Sequence, residues 1–165
     1  MIPFTAELKQ EAEITNRVLA RVPADKLTWK PHAKSMTLGQ LALHTATIPG
    51  GIAKITENDA FELDPARFGN PPQPADHAEI MNAFKESVAN AAAYLDGLTD
   101  EKVEAVWKLS LGDRELLALP RKWVLRSIMF NHLYHHRGQL SVYLRLLDVP
   151  VPAIYGGSAD ESPFS

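Results

Sequence analysis

Residues 131–140 read NHLYHHRGQL, placing three of the chain's six histidines at positions 132, 135 and 136. Histidine is not a favoured helix former, so three of them in one helical stretch point to a task for the imidazoles. Advancing about 100° per residue from His132 puts Leu125 and Tyr143 at about +20°, His136 at about +40°, Gln139 at about −20° and Met129 at about +60°. His132 and His136 therefore share the inward stripe. His135 falls at its edge, and Tyr134 and Arg137 fall far outside it.

Two buried imidazoles one turn apart have four ring nitrogens to satisfy in a low-dielectric place, and a shared cation meets two of those needs at once. Cβ atoms at i and i+4 lie about 5–6 Å apart. Tetrahedral binding with Zn–N bonds of about 2.0–2.1 Å asks for nitrogens about 3.4 Å apart, which converging rings reach. A third ligand is expected from a facing helix. His44 flanks the apolar face set by Leu41 and Ile48, and Pro49, unable to donate to the Thr45 carbonyl, loosens the helix beside it. The H-x-x-x-H pair by itself is a weak pattern, and histidines satisfied by ordinary hydrogen bonds inside a core also produce it. Tyr143 and Gln139 lie in the same stripe, where packing and interhelix hydrogen bonding are their first reading. His32 and His77 read as surface residues, Asp160 and Glu161 as a solvated terminus, and Trp29, Trp107 and Trp123 as core or interface anchors.

The elements that must hold these residues are mostly helical. Phe4, Leu8, Ala12, Val18, Leu19 and Val22 mark a first helix over about residues 4–22, with Pro3 suited to its first turn. Ser35 and Thr37 are N-cap candidates for a second helix, which carries Leu38, Leu41, Ile48, Ile52 and Ile55 and is expected to kink or break at Pro49-Gly50-Gly51. Residues 59–74 read as a long ordered loop. Asp76 and Glu79 form a capping-box-like start to a third helix along Ile80, Phe84, Ser87, Ala91, Leu95 and Leu98. VWKLSLGDRELLAL alternates on either side of Gly112-Asp113, which fits a short β-hairpin or extended excursion. A last helix runs from about 121 to 148, stopped by Pro150 and Pro152, and the tail beyond is irregular. The expected architecture is all-α: one four-helix-bundle domain over residues 1–165, with a long loop between helices 2 and 3 and the hairpin before helix 4.

Composition narrows the partners. The chain has 165 residues, 45% of them hydrophobic, which suits one domain with a sizeable core. A net charge of −3 offers no broad attraction to nucleic acid or an anionic membrane. MIPFTAELKQ shows no basic region followed by an apolar run, and no stretch has the roughly 18 apolar residues of a membrane span. A cytoplasmic protein is expected. Cysteine is absent, so no thiolate nucleophile or Cys-ligated metal is available from the chain.

Three blocks in order, LTWKPHAKSMTLGQLALH, NHLYHHRGQLSVYLRLLDVPVP and IYGGSADE, resemble the DinB-like (DinB/YfiT) superfamily over nearly the whole length. The resemblance implies a four-helix bundle with a divalent metal on three histidines, one from helix 2 and an H-x-x-x-H pair preceding R-G-Q in the last helix. Carried over singly, these are His44, His132 and His136. Similar members often have proline where Gly157 stands, which predicts a looser tail here. The resemblance also implies a homodimer and, from the better understood relatives, transfer of a low-molecular-weight thiol; many members have no assigned reaction.

The expected function is that of a metal-dependent enzyme with zinc or nickel on His44, His132 and His136. It is expected to transfer a low-molecular-weight thiol cosubstrate to a small-molecule electrophile. No general base stands out, and Tyr143, Gln139 and His135 are the candidates for orienting substrate. The alternatives are metal-assisted hydrolysis of small esters or amides, and a non-catalytic metal-binding stress-response module. DNA binding is disfavoured by charge and by the lack of a recognition motif.

Overall fold

The computed structural model describes residues 4–65 and 71–162. Pro3 and part of the expected 59–74 loop lie outside the described residues. Helix α1 spans Phe4–Leu19. It ends short of the expected 22 because Arg21 and Val22 turn back to the Val18 and Leu19 carbonyls, a tight terminal turn. A short 3₁₀ turn, Ala24–Lys26, leads to α2, Leu38–Thr56. Thr37 caps α2 in a complete capping box, its hydroxyl accepting from the Gln40 N–H while the Gln40 side chain accepts from the Thr37 N–H.

Of the kink or break expected at Pro49-Gly50-Gly51, the break does not occur: α2 is helical from Leu38 to Thr56. Its packing on α3 (His77–Asp96) supplies the reason. The Gly50 N–H donates to Ser87 Oγ at 2.8 Å, and a Cβ at position 50 would stand 2.8 Å from the Ser87 Cα. Glycine here lets the two helices close on each other directly behind the proline. Helix α3 starts as read, with Asp76 accepting from the Glu79 N–H.

The structure is mostly helical but not all-α. The hairpin is present as β2 (Val106–Leu111) and β3 (Arg114–Pro120), turning at Gly112, whose φ of 54° suits glycine. A third strand, β1 (Ala60–Glu62), lies inside the stretch read as loop and pairs parallel with β2 through Ala60↔Lys108 and Glu62↔Ser110. Local pattern cannot reveal it, because a strand this short is defined by its distant partner. A short α4, Asp100–Glu104, precedes the hairpin and was not anticipated.

The final helical run has three phases: α5 (Arg121–Val124), a π-helical segment over Leu125–Asn131, and α6 (His132–Leu146). It ends at Leu146 rather than near 148, with Asp148 left-handed at φ 57° and the Val149 N–H closing on the Leu144 carbonyl. Helix α6 touches both α1 and α2. That placement overturns the reading of Arg137 as an outward residue: it is 1% exposed and faces α1. Tyr134 likewise turns to α1, donating to Glu7 Oε1 at 2.5 Å.

Two further expectations are corrected. Asp160 and Glu161 do not form a solvated terminus. Asp160 pairs with Arg145 and accepts from the Val151 N–H at 2.8 Å, while Glu161 pairs with Arg21 at 2.5 Å, so these two carboxylates tie the described part of the tail to the helices. Trp107 is fully buried, and Trp29 packs edge-on to Tyr143, whereas Trp123 is 54% exposed, so of the core or interface role expected for it the core one is excluded.

Candidate metal centre

Helix α2 presents His44 and α6 presents His132 and His136 to one point. The Nε2 atoms of His136 and His132 are 2.8 Å apart, and those of His44 and His132 are 3.4 Å apart. One ligand nitrogen from each ring lies within 4.8 Å of the others. The rings are steeply inclined to one another, with interplanar angles of 69°, 81° and 61°, and the Nε2 separations show that their nitrogens approach. These separations bracket the roughly 3.4 Å demanded by a tetrahedral ion with nitrogen ligands.

Local structure explains how the pair is aimed. Neighbours at i and i+4 share a face of α6. His132 stands at the junction where the π-helical segment gives way to regular α-helix, its N–H donating to the Met129 carbonyl. Such segments recur at functional sites.

Electrostatics keep the rings neutral. Burial lowers the pKa of His44, with the charge on His132 adding to it. Burial also lowers that of His132. His136, buried deepest, is pushed down to about 4, burial outweighing the raising effect of Gln139. Neutral imidazoles offer lone pairs, which a divalent cation requires.

The residues fit such an ion. His136 Nδ1 is engaged by Gln139 Oε1 at 2.8 Å. His132 Nδ1 is buried with no partner in hydrogen-bonding geometry, although the Ile128 backbone favours the charged ring. Three neutral nitrogens pressed together, one of the rings holding an unpaired buried atom, make an expensive arrangement for histidines serving only as packing. Imidazole donors suit zinc, nickel, copper or iron.

Of the other expected site residues, Gln139 contacts His136 directly. His135 is exposed, its ring centroid 4.8 Å from that of His136, and stands outside the ligand cluster. The Tyr143 hydroxyl donates to the Met36 carbonyl at 3.3 Å, a packing role. His32 is exposed, and His77 is half-buried with Nε2 3.0 Å from the Leu19 carbonyl. A cleft of about 540 Å³ between α2 and α3, lined by Ala53, Lys54, Asn90 and Tyr94, involves none of the three histidines.

Sequence reasoning missed Glu11, whose carboxylate holds Arg137 at 2.7 Å from across the α1–α6 contact. A legible signal existed: Glu11 sits between Leu8 and Thr15 on the inward face of α1, where a carboxylate needs a partner.

Comparison with known proteins agrees with this architecture. The chain is 26% identical over 163 residues to the uncharacterized protein YrdA of Bacillus subtilis (strain 168), covering 96% of this chain and 89% of that one. A DinB-like protein from Bacillus cereus ATCC 10987 superposes with a TM-score of 0.70 at 22% identity, over 92% of this chain and 95% of that chain. The DinB-like protein YjoA of Bacillus subtilis superposes with a TM-score of 0.66 at 21% identity, over 87% and 91%. The family model described as DinB family matches residues 3–163. With a match over nearly its whole length, the chain belongs to the DinB family.

Proposed function

We propose that the protein is a metal-dependent enzyme that transfers a low-molecular-weight thiol to a small electrophile, with His44, His132 and His136 as the ligands. The convergence of three neutral imidazoles from two helices carries this reading. Among the described residues the cluster of His, Asp and Glu donors comprises these three imidazoles, a set that leaves a position of a tetrahedral ion for water or substrate. A sequestering module is expected to close it, which favours the enzyme. In the same reading, the long helices form a four-helix bundle of the DinB type.

When bound, a divalent ion such as zinc or nickel supplies Lewis acidity and lowers the pKa of a thiol or water beside it. The three histidines hold that position and stay unprotonated through burial. Because the chain has no cysteine, the sulfur nucleophile must arrive as a cosubstrate. Its S–H proton passes to solvent, and the new S–C bond forms on the electrophile as the leaving group departs. A homodimer draws support from Val142 and Leu146, each 57% exposed and one turn apart on α6.

The test begins with elemental analysis of protein purified without a histidine tag, beside His132→Ala. Stoichiometric metal in the parent and none in a folded variant supports the site, and equal metal in both defeats it. Assays of loaded protein with small electrophiles, run with and without added thiol, then separate transfer from hydrolysis. Turnover that needs no thiol overturns the transferase reading.

A further inference from the structure

The metal reading leaves open what aims each imidazole before an ion arrives. A neutral histidine carries one proton, and only the nitrogen without it binds metal. His136 is 8% exposed, and its Nδ1 lies 2.8 Å from Oε1 of Gln139, three residues on along α6. An amide oxygen only accepts, so the proton of this contact sits on Nδ1. The lone pair is then on Nε2, which faces His132 Nε2 at 2.8 Å. His132 has no side-chain partner at its own Nδ1, where the Ile128 backbone is the polar group beside the ring.

We infer that Gln139 is the positioning residue of the centre: its side-chain oxygen commits His136 to the Nδ1–H tautomer and holds Nε2 ready as the first ligand. Second partners of this kind govern ligand orientation and basicity. The opposite amide polarity, with the Gln139 NH₂ donating to Nδ1, places the ring proton on Nε2 and blocks the ligand position.

This inference rests on the metal reading for its purpose, but its test does not. Metal-free protein labelled with ¹⁵N-histidine is examined by long-range ¹H–¹⁵N correlation, the His136 signal being assigned by its loss in His136→Asn. The expected result is a protonated Nδ1 and a bare Nε2. In Gln139→Ala an Nε2–H population appears, while Gln139→Glu, which only accepts, retains the parent tautomer. Zinc affinity by competition with a chromophoric chelator falls about 10–100-fold in Gln139→Ala and stays near the parent in Gln139→Glu. Both variants keep the parent fold, checked by far-ultraviolet circular dichroism, because the Gln139 side chain is exposed and fills no core space. A parent His136 protonated at Nε2, or a Gln139→Ala tautomer identical to the parent, overturns the assignment. A parent that takes up no zinc defeats the metal reading, and the tautomer result still decides the role of Gln139.

Discussion

Arg137 follows His136 directly in the chain, yet it points to the opposite neighbour and pairs with Glu11 of α1 at 2.7 Å, both side chains buried. The guanidinium also donates to Thr15 Oγ1 at 3.0 Å and to the Tyr155 hydroxyl, which itself donates to Glu11 Oε2 at 2.7 Å. One face of α6 thus holds the candidate ligands while the adjacent face is clamped to α1 and the tail.

Breaking that clamp from one side strands a buried charge. Arg137→Ala is expected to cost about 3–5 kcal/mol of folding stability, measured by urea denaturation. The double variant Glu11→Leu/Arg137→Leu should recover much of the loss, because it removes both charges and fills the space. A single variant as stable as the parent contradicts the clamp.

Adjacent glycines on α2 should respond with opposite signs. A Cβ at position 50 meets the Ser87 backbone at 2.8 Å, whereas one at position 51 meets nothing within 4 Å. Gly50→Ala is expected to destabilise by about 1–3 kcal/mol through overpacking. Gly51→Ala is expected to stabilise by about 0.5–1 kcal/mol, through helix propensity. Thermal melts of the two variants at equal concentration decide it.

Acid should release a second tie between α1 and the last helical run. The Arg126 guanidinium, at 2.5 and 2.6 Å, holds the Glu7 carboxyl below its ordinary value, burial opposing and the Tyr134 hydroxyl assisting. A depressed folded pKa means that the unfolded chain takes up the proton first. The stabilisation is therefore present above the ordinary value of 4.5 and is lost as pH falls through the lower folded value. Against Glu7→Gln, the parent's advantage in denaturation free energy should be largest at neutral pH and vanish as pH falls through the lowered folded value. A pH-independent difference would show that the pair carries no linkage.

Zinc or nickel added to metal-free protein should raise the melting temperature, since an ion that binds the folded form adds about 2.7 kcal/mol at one hundred times its Kd. His44→Ala and His136→Ala should abolish the increment. His135→Ala should keep it, because that ring is exposed and outside the cluster. Loss of the increment in His135→Ala would reassign the ligand set.

The sequence alone determined that His132 and His136 share a face of one helix, since 3.6 residues per turn leaves no other outcome. The caps at Thr37 and Asp76 and the hairpin around Gly112-Asp113 were legible for the same local reason: the deciding atoms lie within a few residues. Only the tertiary structure decided what stands opposite each face. It brought His44 to the pair across 88 residues, buried Arg137 against Glu11, and turned Ala60–Glu62 into a strand by pairing it with β2. It also carried α2 unbroken through Pro49, where the Gly50–Ser87 approach outweighs the local penalty. Periodicity reports which side chains travel together; it says nothing of the neighbour they meet, because that contact belongs to two segments and is written in neither.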